Sequence, residues 1–99
     1  MNFHAISVAA TGARATTGAA SATVAIPTAA NGATPRYVRI CSEGNVFVRP
    51  VAGATDTAAN TDILVTQYAP VILNVHGYSY IAHIQDGSAI AFNVTPIEA

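Results

Sequence analysis

Tyr37-Val38-Arg39-Ile40-Cys41-Ser42, then Glu43-Gly44-Asn45, then Val46-Phe47-Val48-Arg49-Pro50 is the stretch that decides the fold class of this chain. Both flanking runs alternate apolar and other residues with period two and are rich in β-branched side chains, the pattern of half-buried strands. A three-residue loop at 43–45 would set Ile40 opposite Val48 and Cys41 opposite Phe47. Val38, Ile40, Val46 and Val48 would then share one core-facing side. The same register sets Arg39 opposite Arg49 on the other side, where like charges repel. The reading therefore needs either a different register or an acceptor between the two guanidiniums, supplied by Glu43, a distant carboxylate or a neighbouring subunit.

Short runs of the same kind recur along the chain, separated by Gly, Pro, Asn and Asp. They are Thr23–Pro27, Ile63–Val65, Pro70–Val75, Tyr78–Gln85 and Ala89–Thr95, with a further candidate at Phe3–Val8. A polar stretch, Ala52–Thr61, lies between two of them. Asp86-Gly87 signals a second hairpin. A two-residue turn there sets Ile81 opposite Phe92 and Tyr80 opposite Asn93, which mixes the faces. A three-residue loop ending at Ser88 puts Tyr80, Ala82, Ile84, Ile90, Phe92 and Val94 on one side and Ile81, His83 and Gln85 on the other. The turn rule and the pattern rule disagree, and both registers stay open. Ala9–Ala22 lacks a large apolar stripe and is broken by Thr11, Gly12, Thr16, Thr17 and Gly18. The expectation is an all-β chain: a small antiparallel β-sandwich or barrel of six to seven strands over residues 21–99, preceded by an extended N-terminal arm over residues 1–20 whose removal leaves the fold intact.

Charge is the other informative feature. Of 99 residues 9% are charged, against roughly a quarter in an average soluble domain. There is no Lys; the cations are Arg14, Arg36, Arg39 and Arg49. Yet 52% of residues are hydrophobic. Soluble domains ordinarily rely on interspersed surface charge, so much of this surface is expected to be covered by copies of the chain or by other partners. A formal charge of −1 and the absence of a basic cluster argue against nucleic acid. No stretch has the roughly 18 consecutive apolar residues of a membrane helix. The N-terminus has no basic residue ahead of its short apolar run, so synthesis and retention in the cytoplasm until assembly is expected.

No constellation for catalysis stands out, and no enzyme, cofactor or metal is expected. His4, His76 and His83 would have to converge to bind a metal, and no nearby Asp or Glu completes a familiar ligand spacing. Cys41 lies mid-strand among apolar neighbours, as a structural thiol does. Glu43, Asp56, Asp62, Asp86 and Glu98 sit in turns, loops or the terminus; Asp56 and Asp62 lack the ligand density of calcium loops. Asn93-Val94-Thr95 matches a glycosylation acceptor by chance, within a strand. The stronger candidates are for contact. Tyr37, Tyr68, Tyr78 and Tyr80 combine apolar area with a polar tip. Tyr78 and Tyr80 are two apart and would share a face of a regular strand. Arg39 and Arg49 for charge-assisted contacts, with Tyr78, Tyr80 and Ile81 for apolar ones, form the expected interface set.

The order Tyr37-Val38-Arg39-Ile40-Cys41-Ser42, Val46-Phe47-Val48-Arg49-Pro50-Val51, a Thr/Asp/Ala loop, Ala69-Pro70-Val71-Ile72-Leu73-Asn74-Val75, Tyr80-Ile81-Ala82-His83-Ile84 and Phe92-Asn93-Val94-Thr95-Pro96 resembles small virion proteins of tailed bacteriophages. The resemblance runs from about Ser21 to Glu98 and brings no catalytic residues. It implies a small β-fold and a structural place in the virion. The leading expectation is a capsid cement (decoration) protein, acting as a homo-oligomer with a trimer favoured and binding across junctions of the major capsid protein or against another virion protein. A neck, tail or fibre-base component is the alternative, and a host-surface carbohydrate-binding module is the alternative of another class.

Overall fold

Each alternating run forms a strand, but the strands pair with partners distant in sequence. The computed structural model describes residues 7–8, 12–28 and 32–98. Nine strands are found there: β1 (Ser7–Val8), β2 (Ala13–Thr16), β3 (Ala22–Ala25), β4 (Tyr37–Ser42), β5 (Val46–Val51), β6 (Ile63–Val65), β7 (Val71–Asn74), β8 (Tyr80–Gln85) and β9 (Ala91–Glu98). They form two antiparallel sheets. The first has the order β1-β9-β4-β7, with β2 also paired to β9; the second has the order β3-β8-β5-β6.

Strands β4 and β5 therefore do not form a hairpin. Ile40 lies opposite Val94 and Val71 in the first sheet, and Val48 lies opposite His83 and Ile63 in the second. The 43–45 loop is an arch that carries the chain from one sheet to the other. The expected core face survives this correction: Val38, Ile40, Val46 and Val48 are fully buried, facing one another from two sheets. The clash of Arg39 with Arg49 disappears for the same reason. Arg39 is flanked by Ile72 and Thr95 in the first sheet, and Arg49 by Ala82 in the second. Glu43, the acceptor considered for that pair, instead meets Arg14 at 3.1 Å.

The second expected hairpin is also an arch. β8 belongs to one sheet and β9 to the other, linked through the narrow bridge of Asp86 with Ser88. Gly87 has φ +83 at its tip, a conformation that costs glycine little and other residues more. Neither proposed register holds. Ile81 and His83 point inward to join Phe92 and Val94, while Tyr80, Ala82 and Ile84 face outward.

The count of six to seven strands is corrected to nine, because residues assigned to the arm supply two of them. Ala13–Thr16 pairs with Ala91–Val94 along the edge of β9, and Ser7–Val8 pairs further along it. Small residues suit this position. A Cβ placed on Gly12 would lie 2.8 Å from the Val94 carbonyl oxygen. Thr17 then turns the chain inward. It is 4% exposed, its amide donates to the Ile90 carbonyl at 2.8 Å, and its Oγ1 accepts from the Ile90 amide at 2.9 Å. The remainder of the arm, residues 1–6 and 9–11, lies outside the described residues, as do Phe3–Ile6 of the first candidate strand.

The core between the sheets contains Ile26, Val38, Ile40, Val46, Val48, Val65, Val75, Ile81, Phe92 and Val94. Its side chains are mostly β-branched, which suits packing on pleated surfaces. At one end, three arches are tied together: the Gln85 amide donates to Gly18, the Glu43 amide to Ala91, and Asn45 Nδ2 to Asp86 Oδ2. Gly44 permits the tightest approach there, since a Cβ would meet Ile90 Cγ2 at 2.7 Å.

Candidate functional site

The two outer sheet faces differ in chemistry, because cross-strand partners share a side. On the first sheet the outward rows are Asn74–Tyr37–Ile97, Ile72–Arg39–Thr95 and Cys41–Asn93–Arg14. This face is mostly polar and carries the Arg14–Glu43 pair, with Arg14 Nη1 also 3.4 Å from Asn93 Oδ1. Both partners of that pair are well exposed, so it contributes little to stability. On the second sheet the outward rows are Leu64–Phe47–Ile84, Arg49–Ala82–Thr23 and Val51–Tyr80–Ala25.

The 52–62 loop covers the middle of that second face. Thr23 Oγ1 donates to the Ala54 carbonyl at 2.7 Å, and the Ala58 amide donates to Ser21 Oγ at 2.7 Å. Ala58 of the loop packs onto Val51 and Ala82, all three buried, with Tyr80 and Ile84 alongside. Two loop carboxylates are used locally. Asp56 Oδ2 accepts from the Gly53 amide and Asp62 Oδ2 from the Ala59 amide, each closing its own turn. Among the described residues no group of three His, Cys, Asp or Glu side chains is placed to hold a metal.

The expected interface set is divided by the fold. Arg49 and Tyr78 come together at the rim of an open depression of about 470 Å³, lined also by Pro50, Val51, Ala52 and Asp56. Tyr80 lies on the same side, partly buried under the loop. Tyr78 precedes β8 rather than belonging to it. Arg39 is on the opposite outer face. Ile81 is fully buried in the core and offers no contact surface, a correction to its expected role. β8 is a central strand covered on both sides, with Ile81, Ala82 and His83 buried in succession, so alternation could not choose its inward face.

The histidines also separate. His76 is exposed in the turn after β7, and His83 is 2% exposed between the sheets. Its Nδ1 is buried with no hydrogen-bond partner, and burial pushes its pKa below 6.5. His4 lies outside the described residues. Cys41 is half-buried on the outer face of the first sheet, remote in topology from inward-facing His83.

What sequence reasoning missed is where exposed apolar area gathers. The large exposed apolar side chains are Ile63, Leu64, Tyr68, Ile72 and Tyr78. The first four come from one ten-residue segment that leaves β6, crosses between sheets and forms β7. A signal was present, since no charged residue occurs between Asp62 and His76. No protein-family model, curated protein or solved structure matches this chain.

Proposed function

We propose that the chain is a non-enzymatic structural protein of a tailed-bacteriophage virion, most specifically a capsid cement protein. It is made in the host cytoplasm and binds as a small homo-oligomer across junctions between major capsid subunits. The observation that carries this reading is the exposure of Ile63, Leu64, Tyr68, Ile72 and Tyr78 on a chain with only nine formally charged side chains, four Arg and five Asp or Glu. Large apolar groups in contact with water on so small a domain mark surfaces that partners cover. The order of motifs resembling virion proteins agrees with it. Many weak identical contacts on a symmetric shell reinforce one another, since the shell holds each further contact at high effective concentration.

The Arg49–Tyr78–Asp56 depression favours a second reading, a carbohydrate-binding module, because a guanidinium, a phenol and a carboxylate border one open pocket. Purified protein added to particles that lack it separates the two. The cement reading expects saturable binding to shells, symmetric added density, and no glycan affinity in the isolated protein. Absence from particles together with glycan binding abolished by Tyr78→Ala overturns it. A neck or tail component would appear as density confined to the particle's axis.

A further inference from the structure

We infer that the free edge of β7 is a docking site for a second copy of this chain, the two copies pairing antiparallel about a two-fold axis into one continuous sheet. The inference rests on the homo-oligomer part of the preceding reading and puts a dimer in place of the trimer expected from sequence.

The four sheet edges are not equivalent. β2 carries Arg14 outward, and β3 is tied at Thr23 to the 52–62 loop. β6 has three residues and β7 has four. β7 ends its sheet, and among the described residues no strand pairs with its outer side. Exposed edges are ordinarily guarded by charge, proline or bulges, because their free N–H and C=O groups invite another strand. β7 has none of these within its length, and the chain has no Lys to supply one. Pro70 before it, and Asn74, whose Oδ1 accepts from the His76 amide, fix where the edge starts and stops.

Charge complementarity selects the occupant. From Ile63 to Val75 the chain has no ionisable acid or base apart from the phenol of Tyr68. On β7 itself a charged partner strand finds no counter-charge, with Arg39 lying one strand further in beside Ile72. A second copy brings an equally uncharged edge and sets no like charges against each other. The geometry closes as well. A two-fold axis perpendicular to the sheet keeps outer faces on one side, so residues of like parity must meet. Ile72, 54% exposed, then faces its own copy, and Val71 faces Leu73. β6 lies on the same flank in the second sheet, so Ile63 and Leu64, 42% and 43% exposed, are brought toward the contact too.

The full chain should sediment at twice 10.1 kDa at about 300 µM and dissociate on dilution to about 1 µM, as mass action requires. Exchange of the Ile72 and Asn74 amides, which point away from β4, should slow about tenfold or more between those concentrations. Ile72→Lys sets two ammonium groups against each other and should give a monomer with an unchanged thermal midpoint; Ile72→Thr should weaken the dimer and Ile72→Val should keep it. A monomer at every concentration overturns the inference. So does an oligomer that Ile72→Lys leaves intact, with exchange at Ile72 and Asn74 independent of concentration. If either of those proteins still decorates shells, only the edge pairing has failed; if the wild-type dimer does not bind shells, the virion reading has failed and the edge pairing stands.

Discussion

The His83 ring, on β8 of one sheet, meets the Phe92 ring, on β9 of the other, edge-to-face with centroids 4.8 Å apart and planes at 70°. This contact spans the interior, and it places a titratable ring where protonation is costly. The positions directly beside His83 in its sheet are Ala22 and Val48, and the surrounding core cluster is apolar throughout. Thr17, the other buried polar side chain, is already satisfied by Ile90.

Acid should therefore loosen the fold in a way that traces to one ring. Burial lowers the folded-state pKa of His83, so the unfolded chain binds the proton more readily. The stability contributed by neutral His83 is full above pH 6.5, its ordinary value, and is lost as pH falls from there toward the folded-state pKa. The slope for one proton is at most about 1.4 kcal/mol per pH unit. Denaturant midpoints measured from pH 8 to pH 5 should fall below pH 6.5 in the wild type. His83→Phe should flatten that part of the curve; an unchanged curve would show that another group is responsible.

Truncating Phe92 should be among the most damaging single changes. Its side chain is 1% exposed and bridges both sheets. Phe92→Ala should cost about 3–5 kcal/mol, while Ile40→Val should cost only about 0.5–1.5 kcal/mol. Against a typical total of about 5–15 kcal/mol, urea titration of the alanine variant should show a severely weakened or absent transition. Equal losses for the two variants would mean that the core is not centred on this ring.

Two glycine substitutions should differ in cost because of what each new methyl meets. Gly12→Ala drives Cβ against the Val94 carbonyl in the β2–β9 ladder, and the backbone cannot yield without parting the strands. Gly44→Ala meets the Cγ2 branch methyl of Ile90, a side-chain group that can yield by rotation where backbone cannot. Overpacking typically costs about 1–3 kcal/mol, with Gly12→Ala at the upper end. Combining Gly44→Ala with Ile90→Ala, which removes the Cγ2 methyl that the new Cβ meets, should give a loss smaller than the sum of the two single losses in a double-mutant cycle.

Deleting residues 1–20 should destabilise the fold, contrary to the arm expected from sequence. The deletion removes β2, bares one edge of β9 and leaves the Ile90 amide without its Thr17 acceptor. Thr17→Val isolates that last effect and should cost about 1–3 kcal/mol, the penalty for a buried unpaired donor. Full retention of the thermal midpoint after deletion would restore the arm reading.

Alternation located the inward residues Val38, Ile40, Val46 and Val48 but not their partners. An arch between sheets and a hairpin within one present the same alternating pattern to the core, and the tie is broken only by contacts distant in sequence. Ile81, Ala82 and His83 are three consecutive buried residues, so their pattern held no phase information. β2 was invisible because Ala13, Arg14, Ala15 and Thr16 have no large apolar member; its place is fixed by β9, not by its own composition. Of the contact residues, Arg49 and Tyr78 were legible as exposed and do share a depression, whereas the grouping of Ile63, Leu64, Tyr68 and Ile72 depends on two short strands of different sheets lying on one flank.

β9, the latest of the nine strands along the sequence, is also the hub of its sheet, bonded to β1, β2 and β4. Among the strands before it only β5 and β6 pair as sequence neighbours, so a growing polypeptide has almost nothing to zip locally. Beyond the β4–β7 pair, assembly of the first sheet must wait for residues 91–98 to emerge, and closure over such spans is slow, on the order of milliseconds to seconds. Ribosome-stalled chains ending before Ala91 should accordingly remain protease-sensitive, with the transition to resistance arriving abruptly once that strand clears the exit tunnel.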